Sequence, residues 1–281
     1  MSLETLTGNL RDAYKQLQLG TMLHVDQLMN ERRHNANLRG QCFYTADGEI
    51  YFLDDVNKTP TLAITREAQN PVLQNIDDAL DQLTNNGNYL PSQADVQQAL
   101  VAPDTVLITL PSLCLSGKDK EWRYLEIGTT PAKYNQLNGE QRKFAERVYG
   151  QGDDFVHNMK RLNSADISNT RIYVLNPDYV RQHAEAGAIA RASWLNFFYV
   201  DSLFYSDERY FNYHDRVRGV RRGASVSEQE APGGRDAQKT TPYREQGAVL
   251  GPSVQEILEY SASFVPEIVR EQYEVGLRNP I

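Results

Sequence analysis

The chain has 281 residues, 40% hydrophobic and 23% charged, values of a folded globular protein long enough for a sizeable core and two domains. Its net charge of −8 and pI near 5.2 argue against nonspecific nucleic-acid binding, which needs a basic surface. No apolar run approaches the ~20 residues of a membrane span, the N-terminus lacks the basic and apolar regions of a signal peptide, and Cys42 and Cys114 are too few and too far apart for a disulfide framework or a zinc site, so they read as small buried apolar residues.

Leu3 to Leu19 predicts a helix, with Leu10, Tyr14 and Leu17 at helical spacing. Glu31 to Gly40 is polar and reads as loop. Cys42–Thr45 and Glu49–Leu53 read as two strands joined by a hairpin at Asp47-Gly48. Thr61–Thr65 adds a third strand. Val72, Ile76, Ala79, Leu80 and Leu83 share one helical face, ended by Asn85-Asn86-Gly87. Ser92 is an N-cap for a short helix to Leu100. Residues 1–102 thus look like a small α+β module with a scaffold, attachment or oligomerisation role.

Pro103-Asp104 marks a boundary. Thr105–Leu110 is almost wholly apolar and predicts a buried strand. Arg123–Ile127 alternates, with Leu125 and Ile127 on one face and Tyr124 and Glu126 on the other. Ser116–Lys120 between them is a charged turn. Helices follow over Asn138–Val148 and Asp153–Leu162, the second with Phe155, Met159 and Leu162 inward and Asp153 and Asp154 in its first turn. Arg171–Leu175 is a strand ended by Asn176-Pro177.

The stretch from Ala188 to Gly223 has two fixed-looking ends and an arbitrary-looking middle. Ile189 to Trp194 is an apolar lead-in; Arg216 to Arg222 sets Val217 and Val220 among arginines. Between them Leu195 to Asp215 carries Phe197, Phe198, Tyr199, Phe204, Tyr205, Tyr210, Phe211 and Tyr213, where a chain that is 10% aromatic would place about two. The run follows neither a helical nor a strand period, because Asn196, Asp201, Ser202, Ser206, Asp207, Asn212, His214 and Asp215 break it and only Leu195, Val200 and Leu203 add aliphatic bulk. Rigid rings with small adaptable polar groups are the vocabulary of antibody-like binding surfaces. Lys, Gln, Met and Trp are absent, and nearly every residue present can be reached from an asparagine codon ending in a pyrimidine by changing its two adenines.

At this point the chain resembles the variable proteins of diversity-generating retroelements, archaeal or viral members included. Ala192-Ser193-Trp194 looks like the strand that precedes their variable region, and Arg216–Arg222 like the Arg/Val-rich strand that follows it. The resemblance implies an α+β, C-type lectin-like domain of the formylglycine-generating-enzyme subtype over residues 103–224. It also implies a place on a virion or cell surface. Leu195 to Asp207 and Tyr210 to Asp215 would be displayed, with Trp194, Val217 and Val220 as anchors beneath. The expected ligand is a macromolecule, in the first place a protein, with no nucleic acid and no membrane insertion; no cofactor is implied. Ala224 to Gly247 reads as linker, and residues 225–281 as linker plus a helical tail bearing Val254, Ile257, Leu258, Ile268, Val269 and Tyr273. Many members of the family end near the variable region, so this tail departs from the pattern.

Other constellations point elsewhere. Asp153, Asp154 and His157, a helical turn apart, could form a metal or catalytic site of an α+β enzyme of unknown reaction, against the plainer reading of a solvated helix start. Cys114 with a distant histidine has no local signature of a nucleophilic pair. The resembling enzyme family uses cysteines in its C-terminal strands, where this chain has Gly219 and none. Calcium-dependent sugar motifs are absent. Arg216, Arg218, Arg221 and Arg222 could meet phosphates, but in a strand alternate ones would pair with nearby carboxylates. A structural assembly role is the remaining alternative.

Overall fold

A computed structural model describes residues 3–35, 38, 41–165, 167–185, 187–197, 202–205 and 215–221; at 86, 196, 197, 202–205 and 215 it describes the backbone alone. The chain divides after residue 226, and all described residues lie in the first unit. The expected tail and linker, 225–281, and the variable-segment residues 198–201 and 206–214 lie outside the described residues.

The order begins β1 (Glu4–Gly8), α1 (Leu10–Lys15), α2 (Val25–His34), β2 (Phe43–Leu53), β3 (Pro60–Thr65), α3 (Pro71–Gln74), α4 (Ile76–Asn86), α5 (Gln93–Val101) and β4 (Val106–Thr109). It continues β5 (Trp122–Gly128), α6 (Pro131–Tyr134), α7 (Gly139–Tyr149), α8 (Asp153–Ser164), β6 (Asn169–Leu175), α9 (Pro177–His183), β7 (Ile189–Phe197), β8 (Ser202–Tyr205) and β9 (Asp215–Gly219). Among the described residues nine strands form one sheet, in the order β1-β9-β2-β7-β8-β6-β5, with β3 and β4 branching from β2. The expected boundary near residue 102 falls inside this sheet, which takes strands from both sides of it.

Two cores flank the sheet. On one face Phe43, Tyr51, Leu62, Ile64, Ile189 and Leu195 pack with Leu28 of α2, Tyr134 of α6, Phe144 of α7, Phe155 of α8 and Val180 of α9. On the other, Tyr44, Ala46, Ile50, Ala63, Ala190, Ala192 and Trp194 pack with Tyr14 of α1, Val72 of α3, Leu80 of α4 and Ala99 of α5. The two-residue period of a strand sends alternate residues of β2 and β7 into opposite cores. Helices on both faces leave β2 no wet side, so its sequence cannot alternate apolar with polar.

That burial overturns the hairpin expected at Asp47-Gly48. The residues continue one 11-residue strand, β2. A side chain at Gly48 would stand 2.5 Å from Asn70 Oδ1, so only glycine lets the two approach. Asp47 is fully buried, and the register against β7 shifts between Tyr44 and Gly48. The Asp-Gly pair therefore marks a bulge. Below it β2 meets β9 at Phe43↔Arg216; above it, over Gly48–Leu53, β2 pairs with β3, while β7 runs along the other edge.

Other expectations also change. Residues 4–8 form a strand, not the start of a helix; Asn9 then caps the short α1 by accepting the Asp12 N–H at 2.8 Å. Glu31 to His34 belongs to α2, not to a loop. β4 is only partly buried, Leu107 being 44% exposed. Cys114 is exposed and Cys42 half-buried. The helices begun at Ser92 and Asn138 form as expected: Ser92 Oγ accepts the Asp95 N–H at 3.2 Å and Asn138 Oδ1 that of Gln141 at 2.9 Å. Leu125 and Ile127 of β5 are buried, as their alternation predicts. No described helix is long and apolar enough to cross a membrane.

Candidate functional site: the frame of the aromatic segment

β7 delivers the chain to the aromatic segment and β9 receives it. Ala190, Ala192 and Trp194 are buried against the helices of one core. On the opposite face Arg191 and Ser193 are fully buried in polar company. Arg191 Nη2 reaches Glu121 Oε1 at 2.7 Å and Asn88 Oδ1 at 2.8 Å, and its guanidinium lies 4.8 Å from the Trp122 ring centroid. Ser193 Oγ donates to Glu49 Oε1 at 3.2 Å, and Glu49 also accepts from the Tyr51 hydroxyl. Burial first, and the Glu49 charge second, push the Tyr51 phenol well above its ordinary range, so Tyr51 stays a donor. Charged groups tied this way hold β7 in one register.

β9 is clamped by the N-terminus. All five residues of β1 pair antiparallel with it, Glu4↔Gly219 through Gly8↔Asp215. Leu23 N–H donates to the Arg218 carbonyl at 2.8 Å and Gln18 N–H to that of Val220 at 2.7 Å. A side chain at Gly219 would stand 2.8 Å from the Thr21 carbonyl oxygen and 2.9 Å from Leu17 Cδ1. Val217 and Val220 are buried, as anchors should be. Arg218 pairs with Glu31 at 3.0 Å and donates to Thr5 Oγ1 at 3.0 Å; Arg221 lies 3.9 Å from Glu4. Arg218, on β9, is thus paired with a carboxylate, as the strand reading expects; Arg221 lies beyond the end of β9.

Between β7 and β9 the structure places β8. It pairs antiparallel with β7, Trp194↔Tyr205 through Phe197↔Ser202, and parallel with β6, Arg171↔Leu203 and Ile172↔Phe204. One of the residues expected on display is therefore relocated. Leu195 is 0% exposed and belongs to the core with Ile172 and Ile189; on β7 it faces the core that Arg191 and Ser193 also face, so it acts as an anchor. Asn196, Phe197, Ser202, Leu203, Phe204, Tyr205 and Asp215 sit on strand backbone. Phe198, Tyr199, Val200, Asp201, Ser206, Asp207, Tyr210, Phe211, Asn212, Tyr213 and His214 lie outside the described residues.

The frame holds residues that sequence reading did not single out. β1, Glu31 and Thr21 fix β9 from about 190 to 215 positions away, and no local pattern signals such pairings. Asp47, at the branch of β2, is a fully buried carboxylate with three cationic side chains around it. Its Oδ1 lies 3.5 Å from His24 Nδ1, 3.6 Å from Arg66 Nη1 and 3.5 Å from Arg147 Nη2, and its Oδ2 accepts the Val25 N–H at 2.7 Å. Burial alone would raise this carboxyl; His24, Arg147 and Arg66 outweigh it and hold it down at about 2. Its signal in the sequence is Asp47-Gly48, a pair that locally favours a turn.

The alternative site at the start of α8 looks like a helix terminus. Asp153 and His157 are exposed, and Asp154 pairs with Arg33 at 3.0 Å. Among the described residues no group of three or more His, Cys, Asp or Glu is placed to hold a metal ion.

No family model and no curated protein matches the chain. Among solved structures it is similar to one from work on the accommodation of massive sequence variation in Nanoarchaeota by the C-type lectin fold, with a TM-score of 0.51 over 79% of this chain and 97% of that one, at 11% identity. At that identity the likeness is one of fold. The chain is an α+β protein with the C-type lectin fold.

Proposed function

We propose that the chain is a non-enzymatic binding protein that displays a diversified, aromatic-rich surface from a C-type lectin frame of the formylglycine-generating-enzyme subtype. The observation that carries this reading is the contrast at the two ends of the aromatic segment. Trp194, Leu195, Val217 and Val220 are buried, and the residues between Leu195 and Val217 are a run of rings and small polar groups with no helical or strand period. A frame anchored at both ends tolerates substitution between the anchors, because a side chain meeting only solvent contributes little to folding. The Nanoarchaeota structure supports the reading, since that work concerns the same fold under massive sequence variation.

The ligand is a macromolecule, in the first place a protein, since clustered tyrosines and phenylalanines suit a broad protein surface better than a small solute. Net charge of −8 speaks against nucleic acid as the ligand. The role is that of an adhesin or receptor-binding protein on a virion or cell surface. The N-terminal 102 residues contribute the β1 clamp as well as any attachment. Sequencing the gene in closely related isolates tests the proposal. Differences should gather in codons 196–214, fall mainly at adenines of a near-identical template copy, and lie beside a reverse transcriptase. Differences scattered evenly along the gene contradict it.

A further inference from the structure

Among the described residues the sheet ends at three strands, β1, β4 and β5. An edge strand presents backbone N–H and C=O groups that can pair with another chain, and folded proteins normally block it. Two of these edges are blocked. On β4 the outward N–H of Thr109 donates to Glu140 Oε2 at 2.9 Å. On β5 the Trp122 N–H donates to Asp119 Oδ1 at 2.9 Å, and Tyr124 exchanges backbone bonds with Ser116 at 2.8 and 3.1 Å. β1 is different. In an antiparallel pair alternate residues bond across the ladder, and those between them point away from it. The Arg218 and Val220 carbonyls accept from Leu23 and Gln18, on the side of β9 away from β1. The bonds to β1 therefore come from Asp215, Val217 and Gly219, which lie opposite Gly8, Leu6 and Glu4. That leaves the N–H and C=O groups of Thr5 and Thr7 directed outward, with no backbone partner among the described residues. The strand carries no proline, lysine or bulge.

We infer that β1 is an interface between two copies of this chain, which pair antiparallel through it about a two-fold axis at Leu6. The strand is self-complementary in that register. Thr5 meets the partner's Thr7, and Thr7 the partner's Thr5, so the outward groups of both strands are all bonded. Leu6 meets the partner's Leu6, and Glu4 faces the partner's Gly8, so no like charges stand opposed. Charge favours a second copy over an unrelated strand. Arg216 shares the row of Thr7 and has no ion pair among the described residues. Glu31, paired to Arg218 beside the row of Thr5, is 35% exposed. The two-fold axis aligns these rows and brings each Arg216 toward the partner's Glu31. Pairing here does not depend on what the aromatic segment binds, and it joins two such segments in one particle.

Size-exclusion chromatography with light scattering on the full chain should give twice its 31.9 kDa mass at about 0.1 mM, a concentration that assembles even a weak dimer. Thr5→Pro and Thr7→Pro each remove one outward N–H and no bond to β9, so both should fall to monomer mass with the thermal midpoint kept. A cross-link reads the register without proline. In a Cys114→Ser background, Leu6→Cys should give a disulfide dimer in air, because facing residues at such a position have Cα atoms about 4.5 Å apart. Thr7→Cys should not, since two copies of position 7 stand diagonally, about 8 Å apart. A full chain that stays at monomer mass overturns the pairing and leaves the edge for a strand of a different protein. A dimer that keeps its mass in both proline variants, or equal cross-linking at positions 6 and 7, overturns it as well. If proline unfolds the chain, the cross-link pattern decides alone.

Discussion

The replacement Asp47→Asn probes the branch of β2. Asparagine keeps the shape and can still accept the Val25 N–H, but it removes the charge facing His24, Arg66 and Arg147 at 3.5 to 3.6 Å. Arg147 is only 5% exposed, so it would be left buried without its carboxylate. Removing one partner of a buried ion pair costs about 3–5 kcal/mol. The pH dependence gives a second, independent number. The Asp47 carboxyl is held at about 2 in the fold, against an ordinary value of 3.8. A depressed carboxyl binds its proton more weakly folded than unfolded, so its contribution is present above pH 4 and fades as pH falls toward 2. The shift amounts to about 2 kcal/mol at neutral pH, of which about 1 kcal/mol is gone at pH 3. Urea unfolding at constant m-value, at pH 7 and pH 3, measures both. The gap between wild type and variant should be about 3–5 kcal/mol at pH 7 and smaller by about 1 kcal/mol at pH 3. A gap under 1 kcal/mol, or one unchanged by pH, refutes the reasoning.

Gly219→Ala should destabilise by about 1–3 kcal/mol, because the added methyl meets the Thr21 carbonyl oxygen at 2.8 Å; thermal melting should show a fall of several degrees, and an unchanged midpoint would mean β9 is not clamped there. Ser193→Ala removes the donor to buried Glu49 and should cost about 1–3 kcal/mol in urea unfolding, whereas a neutral effect would deny that this network holds β7. Tyr199 and Tyr210 replaced together by Ala should leave the urea midpoint nearly unmoved, a displayed ring contributing within about 0.5 kcal/mol to folding; a cooperative loss of folding would place those rings in the core.

The sequence announced elements whose signals are local. Ser92 before α5, Asn138 before α7 and the alternation of Leu125 and Ile127 in β5 are each settled within a few residues. It misled where tertiary pairing decides. Thr5, Leu6 and Thr7 form a strand only because β9, over 200 residues on, lies beside them. The helix α2 was hidden by its polar surface, DQ and NERRH, although Val25, Leu28, Met29 and Arg32 bury one face and Gln27 closes its start on the His24 N–H. Asp47-Gly48 carries the strongest short turn signal in the chain, yet two buried faces and the close approach of Asn70 make it a bulge. The frame of the site was legible in Trp194, Val217 and Val220. The burial of Leu195 was not, since a run of apolar residues hides its own pleat, and only the pairing with β8 shows which alternate residues meet the core.

A deep mutational scan of residues 192–221, read by folded display on cells, tests the central claim most directly. The account predicts intolerance at Ala192, Trp194, Leu195, Val217 and Gly219, and broad tolerance across 198–201 and 206–214. Uniform intolerance from end to end would show that the rings between the anchors build the fold instead of facing a ligand.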